Sequence, residues 1–134
     1  MVKKMIEKFR GPEYIMHRYE GNPLITVEDF PIPSHAVYNC GQTTYNGKTV
    51  LLIAAFYLQQ NANGSKTGIH VATSDDGIHF TKYTSNPVIN QNPLGYEDFR
   101  DPKVVNIQNH WYMVAGTGNA ASGKVLLFDS EDLL

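Results

Sequence analysis

The sequence has little cysteine and no excess of charge of either sign. Cys40 is the only cysteine among 134 residues, which excludes an internal disulfide, and no Cys/His set has the spacing of zinc ligands. A lone thiol is usually a small buried core group, as we expect here; a nucleophilic role would need a histidine nearby in the fold. The formal net charge is −2, so we expect neither nucleic acid nor an anionic membrane surface as a partner.

The sequence also has no long apolar run. No stretch approaches the roughly 20 apolar residues that a membrane-spanning helix needs. The charged residues 1–10 are not followed by an apolar segment, which argues against a secretory signal peptide. We therefore expect a cytoplasmic protein in which residues 1–21 form an N-terminal extension. Residues 2–9 are expected to make one or two amphipathic turns that end at Gly11 and Pro12.

Short β-branched and aromatic runs, separated by turn residues, dominate the chain after residue 21, a pattern typical of an all-β fold. The dipeptide Asn46–Gly47 lies between two such runs and predicts a tight hairpin, because both residues tolerate positive φ. Asp76–Gly77 and Gln108–Asn109 predict two more hairpins. Strands are predicted near residues 36–45, 49–57, 68–74, 79–83, 102–107, 110–116 and 124–129.

Two parts of the chain repeat the same order of motifs. Residues 22–25 (NPLI) return as 86–89 (NPVI), and the tripeptide EDF occurs at both 28–30 and 97–99. A repeat of this size that holds four short strands is typical of a β-propeller blade, the alternative being chance similarity among β-rich segments. We therefore predict that residues 22–134 form a partial β-propeller domain of about two blades.

Two blades would leave sheet faces uncovered. A propeller closes its ring with at least about four blades, so we interpret the chain as a truncated product, a fragment or a subunit that completes its ring with other copies. Exposed apolar faces favour association, and we expect a homo-oligomer. The side chains expected on the open faces are Val50, Leu52, Val104, Met113 and Leu127.

The segment at residues 96–104 (YEDFRDPKV) concentrates three carboxylates and an arginine before a predicted strand. Because the innermost strands of propeller blades line the central channel, Asp101 at the strand entrance would direct its carboxylate into that channel. The neighbouring Arg100 is expected to hold this carboxylate ionised, and Pro102 fixes the backbone. The alternative is a solvated loop with a surface ion pair.

This order of motifs resembles glycoside hydrolase family 32, the β-fructosidases, invertases and levanases. The resemblance is carried by residues 100–104 (RDPKV), 110–114 (HWYMV) and 123–133 (GKVLLFDSEDL). It implies a five-bladed propeller in which Asp101 binds substrate hydroxyls and stabilises the transition state. The Asn-Asp-Pro-Asn motif that carries the nucleophile of that family is absent from the sequence, and the family's general-acid glutamate belongs to a later blade.

The earlier part resembles family 130, the β-mannoside phosphorylases and related mannosidases, through residues 22–31, 36–41 and 45–48. This resemblance implies that Asp101, in a variant of the family's Asp-Pro-Arg motif, is a general acid and that Asn39 contacts the sugar. An arginine expected after the next strand is missing from residues 53–57, and the phosphate-binding residues of that family lie in later blades. Because the N-terminal match is longer, the sequence favours family 130 slightly over family 32.

Five residues are therefore expected to form the site. Asp101 is the catalytic candidate, and Asn39, His35, Arg100 and Asp98 are expected to bind the saccharide; a loop histidine without a role is the alternative for His35. No metal or cofactor is expected, with inorganic phosphate as a co-substrate in the family 130 case. The expected function is cleavage or phosphorolysis of a glycosidic bond in a small saccharide, the alternative being a non-catalytic sugar-binding or self-assembling propeller fragment.

Overall fold

The computed structural model describes residues 18–30, 33–58 and 65–133. A first antiparallel sheet contains β1 (Ala36–Tyr45), β2 (Lys48–Leu58), β3 (Ser65–Ser74) and β4 (Thr81–Lys82), in that order. A short 3-10 helix, Val27–Asp29, precedes it. No helix within the described ranges is long and apolar enough to cross a membrane. Residues 1–17, including the turns expected over 2–9, lie outside the described residues, so the predicted boundary at residue 21 stays a prediction.

A second antiparallel sheet contains β5 (Asp98–Ile107), β6 (His110–Asn119) and β7 (Ser122–Ser130). The prediction of an all-β chain built from one four-stranded unit and most of a second is therefore confirmed. Several strand bounds differ from the predicted ones, most of all in β5, which begins at Asp98 rather than at residue 102. Residues Asp98–Arg100 pair with 116–118 of β6. Asp101 consequently lies inside a strand and not at its entrance.

Two of the three predicted tight turns are confirmed. Asn46 and Gly47 join β1 to β2 with φ of 49° and 76°, and Gln108 and Asn109 join β5 to β6 with φ of 53° and 63°. Positive φ at both central positions matches the right-handed twist of the flanking strands, which is why asparagine and glycine are favoured there.

The third predicted turn is wrong in detail, because residues 75–80 separate β3 from β4 and no two-residue hairpin forms there. The carboxylate of Asp76 organises this longer connection. Its Oδ1 accepts hydrogen bonds from the backbone N–H groups of Ile78 (2.9 Å) and His79 (2.8 Å). Asp76 thus bonds its own backbone, as aspartates in turns do, and its bonds with His79 hold the pKa of its carboxyl well below the usual range.

The main core lies between the two sheets. Successive side chains on a strand point to opposite faces, so one face of each sheet packs on the other. The buried side chains of this core are Val50, Leu52, Ala54, Ile69, Val71, Phe99, Val104, Trp111, Met113, Ala115 and Leu133. Four of the five residues expected on open faces, namely Val50, Leu52, Val104 and Met113, are therefore buried between the sheets, and that expectation is wrong for them.

The outward faces of the two sheets differ in how they are covered. On the first sheet, Phe30 and Ile25 from the preceding segment pack over Ile53 and Ala55. On the second sheet, the side chain of Leu127 remains 67% exposed. It belongs to a set of exposed apolar residues that also contains Val105, Ile107, Val114 and Val125.

Candidate active site

The first strands of the two sheets each contain a β-bulge, and the two bulges hold candidate site residues. In β1, Asn39 and Cys40 fall in the register shift between Tyr38 and Gly41. In β5, Asp101 and Pro102 fall in the register shift between Arg100 and Lys103. Asn39 has φ of 50° and Asp101 has φ of 56°, a region that asparagine and aspartate enter more readily than most residues. We call these four residues the paired bulges.

The paired bulges are neighbours in space because β1 lies alongside β5. The buried Gly41 follows the first bulge, and a Cβ built on it would overlap the carbonyl oxygen of Pro102 in the second. Only glycine permits this approach of two backbones. Asn39 and Asp101 are both exposed, so a carboxamide and a carboxylate are presented from the first strands of the two sheets. Bulges of this kind re-aim side chains and are common next to active sites.

Arg100 does not pair with Asp101 as the sequence suggested. Its Nη2 lies 2.8 Å from Oδ1 of Asp98, with both side chains about half exposed. Residues two apart on a strand share a face, whereas adjacent residues point apart, which explains the choice of partner. The structure therefore brings Asp98 and Arg100 together as an ion pair immediately before the second bulge.

His35 lies one residue before β1 and is exposed. Its backbone N–H donates to the carbonyl oxygen of Phe56 (2.7 Å), and its ring stands at 6.2 Å from the Phe56 ring. Four residues of extended chain span about 13 Å, so His35 is separated from Asn39 along the strand. Its role as a sugar contact stays a prediction.

Cys40 is exposed rather than buried, so the expectation of a core thiol is wrong. The bulge takes this residue out of the regular alternation and places it in the lining of an open groove of about 490 Å³. Asn39 lines the same groove, together with Val37 and Tyr38 of β1 and the segment Asn22–Ile25. Ligand pockets fall in the range of about 300–1,000 Å³, so the groove could accommodate a small saccharide next to Asn39.

The described residues contain no candidate metal centre. Within residues 18–30, 33–58 and 65–133, no three His, Cys, Asp or Glu side chains converge as metal ligands would. The two histidines at turns have carboxylate partners instead: Nδ1 of His79 lies 2.6 Å from Asp76, and Nε2 of His110 lies 3.1 Å from Asp129.

Sequence reasoning missed the bulges and the contact made by Gly41. A signal was present, since Asn39 and Asp101 hold equivalent places in the two repeats and belong to the residue types that tolerate positive φ. Aligning residues 37–41 with 99–103 would have placed these two residues opposite each other. The contact of Gly41 with Pro102 had no such signal, because it depends on how the two sheets pack.

Comparison with known proteins identifies the family. The family model described as glycosyl hydrolases family 32 N-terminal domain matches residues 15–134. A sucrose-6-phosphate hydrolase of Bacillus subtilis is 35% identical over 97 residues, which cover 66% of this chain and 20% of that protein. A family 32 β-fructofuranosidase structure from Bombyx mori has a TM-score of 0.64 at 35% identity and covers 70% of this chain and 20% of its own.

The resemblance to family 130 is supported by the fold. A β-1,2-mannobiose phosphorylase structure from Listeria innocua has a TM-score of 0.68 at 19% identity, covering 86% of this chain and 48% of its own. The two sheets are thus blades of a β-propeller of the kind that families 32 and 130 share. The chain spans between 12% and 20% of the length of the curated relatives that it matches. Its sequence match to the family model places it in glycoside hydrolase family 32, as part of the N-terminal propeller domain.

Proposed function

We propose that this protein cleaves a glycosidic bond of a small saccharide at the paired bulges, with Asp101 as its catalytic carboxylate. The observation that carries the proposal is the presentation of Asp101 and Asn39, both exposed and both at positive φ, from the first strands of the two packed sheets. Backbone strain of this kind persists where the surrounding structure holds it, and it clusters at functional sites. The family membership of the chain supports the same reaction class.

The chemistry of the two side chains fits this reaction. Glycoside cleavage passes through an oxocarbenium-like transition state, and an oriented carboxylate such as that of Asp101 stabilises the developing positive charge. The carboxamide of Asn39 can donate to one sugar hydroxyl and accept from another. Such a mechanism needs two positioned carboxyl groups, or one carboxyl group with phosphate as nucleophile. The paired bulges supply one carboxyl group, that of Asp101, and the second group would come from a later blade of the propeller.

The substrate class that we propose is a β-fructoside of the sucrose type. This follows from the family match and from relatives that are named as a sucrose-6-phosphate hydrolase and a levanase. A second candidate is phosphorolysis of a β-mannoside, with inorganic phosphate as co-substrate. The observations that favour it are the position of Asn39 in the first bulge and the absence of an Asn-Asp-Pro-Asn motif from the sequence.

A substrate panel tests the proposal. Sucrose, sucrose 6-phosphate, levan and β-1,2-mannobiose would each be incubated with the complete propeller that contains this chain, with and without inorganic phosphate, and the products separated by chromatography. We expect release of fructose that does not depend on phosphate. Phosphate-dependent release of mannose 1-phosphate would support the second candidate. Saccharide binding without turnover would assign a non-catalytic sugar-binding role, and neither binding nor turnover would contradict the proposal.

Asp101→Asn is the variant that connects turnover with the site. It keeps the volume but removes the charge and the titratable proton, and we expect a loss of at least about 10²-fold in turnover. Asp75→Asn is the matched control, since Asp75 is also exposed but pairs with Lys48 at the β3–β4 connection. Near-normal turnover by Asp101→Asn would show that Asp101 is not the catalytic carboxylate and that the proposed site is wrong.

A cytoplasmic location and self-association also belong to the proposal. An exposed thiol such as that of Cys40 is compatible with a reducing compartment, and cell fractionation would test the location.

Self-association would use the outward face of the second sheet, because the corresponding face of the first is covered by Ile25 and Phe30. Leu127 and Val125 are the most exposed large apolar side chains on that face.

A further inference from the structure

A buried polar cluster holds the loop that precedes β5. Asn92 is 3% exposed, and its side-chain Nδ2 donates to the carbonyl oxygens of Tyr96 and Asp98, each at 3.1 Å. The same Nδ2 also lies within hydrogen-bond distance of the hydroxyl of Thr117 on β6, so its two N–H groups are shared among three acceptors. Its Oδ1 accepts from the backbone N–H of Leu94 (2.9 Å). One side chain therefore fixes both ends of the segment between residues 94 and 98.

Two threonine hydroxyls complete the cluster. Thr117, 7% exposed, donates from its hydroxyl to the carbonyl oxygen of Asp98 (2.6 Å). Thr67 of β3, 1% exposed, donates to the carbonyl oxygen of Glu97 (3.3 Å). Each of the three consecutive carbonyl groups at residues 96–98 thus has a partner from a side chain elsewhere in the fold. Such bonds are costly to lose, because a buried polar group left without its partner keeps its full desolvation penalty.

This cluster matters for the candidate active site because it lies next to the part of β5 that has no regular pairing with β6. The register shift between Arg100 and Lys103 leaves Asp101 outside the regular β5–β6 ladder. The chain on its C-terminal side is fixed by the contact between Gly41 and Pro102. On its N-terminal side, Asp98–Arg100 pair with β6, and the carbonyl groups at residues 96–98 hold the segment where this pairing begins.

We infer that Asn92 and Thr117, here called the loop clamp, are positioning residues that orient the Asp101 carboxylate by fixing the start of β5. The inference rests on the proposed function. Both side chains are buried, and they reach the site only through the backbone carbonyl group of Asp98, which accepts hydrogen bonds from both. A loosened clamp would let the start of β5 shift, and a displacement of about 1 Å at a reacting group can cost on the order of 10²-fold in rate.

Thr117→Val and Thr117→Ser form the matched pair that tests the clamp. Valine keeps the shape of threonine without the hydroxyl, and serine keeps the hydroxyl. With sucrose as the probe, we expect Thr117→Val to lower kcat by about tenfold to hundredfold with little change in KM. Thr117→Ser should restore kcat to within about twofold of the original. A kcat loss that serine does not rescue, or a valine variant that melts earlier with unchanged kcat, would overturn the inference.

The same substitution in an Asp101→Asn background shows whether the clamp acts through that carboxylate. If it does, Thr117→Val should cause no further loss there, because coupled residues are not additive. Fully additive losses would overturn the inference while leaving the proposed function intact. Normal turnover by Asp101→Asn alone would instead overturn the proposed function, and the clamp's role with it.

Asn92→Asp provides a second route if Thr117→Val does not fold. It retains the acceptor for Leu94 but removes the two N–H donors, and the same fall in kcat is expected. The control is Asn106→Ala, which removes the hydrogen bond that the backbone N–H of Asn109 donates to Oδ1 of Asn106 (3.2 Å) at the far end of β5. Equal effects of Asn92→Asp and Asn106→Ala on kcat would contradict a specific role of the clamp.

Discussion

At the scale of single residues, His70 is the side chain whose environment is least expected from its chemistry. It is 1% exposed within β3, and the ring of Phe30 meets it edge-on with centroids 4.9 Å apart. Within the described ranges neither ring nitrogen has a hydrogen-bond partner. Burial without such partners disfavours the charged imidazolium, and it lowers the pKa of His70 to about 4.

This environment predicts how stability depends on pH. Above the ordinary pKa of about 6.5 the imidazole is neutral in both the folded and unfolded states, so its contribution is constant. Between about 6.5 and about 4 only the unfolded state binds the proton, and the free energy of unfolding should fall by up to about 3 kcal/mol. His70→Leu should remove this part of the pH dependence.

Urea unfolding of the two proteins between pH 7 and pH 4.5 measures the effect. The difference between them isolates His70, because every other titrating group is common to both. A parallel loss of stability in both proteins would show that His70 is not kept neutral by burial.

Residue-scale predictions from the sequence were right where local chemistry decides and wrong where packing decides. The turns at Asn46–Gly47 and Gln108–Asn109 were predicted correctly because asparagine and glycine tolerate the positive φ that such turns need. The partner of Arg100 and the exposure of Cys40 were predicted wrongly. The partner of Arg100 depends on the early start of β5, which puts Asp98 and Arg100 on one face of a strand. The exposure of Cys40 depends on the bulge in β1, which changes the face to which a side chain points and leaves little trace in composition.

At the scale of secondary-structure elements, seven strands were predicted from the alternation of apolar residues and from turn signals. The start of β5 was missed because its first residues, Asp98–Arg100, include two charged side chains that match no strand pattern. These residues form a strand because they face residues 116–118 of β6, and not because their side chains favour the β conformation. The bulges were missed for a related reason, since a register shift is a property of two strands and not of one.

The contact between β1 and β5 gives a prediction at this scale. In Gly41→Ala the new Cβ would overlap the carbonyl oxygen of Pro102, which forces the two strands apart. Overpacking of this kind costs about 1–3 kcal/mol, so we expect a lower free energy of unfolding together with weaker saccharide binding.

Gly123→Ala is the control for this substitution. Gly123 lies in β7 with no atom within 4 Å of an added Cβ, so its variant should retain both properties. Calorimetric melting and saccharide titration of the two variants measure the contrast. Gly41→Ala that binds saccharide as tightly as Gly123→Ala would show that the spacing of the two bulges is unimportant.

At the scale of the whole molecule, the packing of the two sheets decides which surface remains open. The sequence indicated alternating apolar faces but could not say which parity of residues faces the partner sheet. In the structure, Val104 and Met113 are buried between the two sheets. Leu127 and Val125 lie on the outward face of the second sheet and are 67% and 74% exposed. Burial of apolar surface is worth about 25 cal/mol per Å², which favours association through the outward face.

We therefore expect Val125→Lys/Leu127→Lys to weaken self-association. Sedimentation at micromolar concentration should show a dimer or larger species for the original protein and a 15.0 kDa monomer for the double variant. Thr44→Lys adds a charge at an exposed position of β1 and serves as the control. A folded monomer before any substitution would contradict association through this face.

The central claim is that a saccharide binds at the paired bulges, and an NMR titration of the ¹⁵N-labelled protein tests it most directly. Sucrose and β-1,2-mannobiose would be added separately while the backbone amide signals are followed. We expect the largest shifts on residues 38–41 and on the amides of Arg100, Asp101 and Lys103, since Pro102 has no amide N–H; these segments contain Asn39 and Asp101 in the first strands of the two sheets. Shifts centred on another surface, or no shifts at millimolar saccharide, would contradict it.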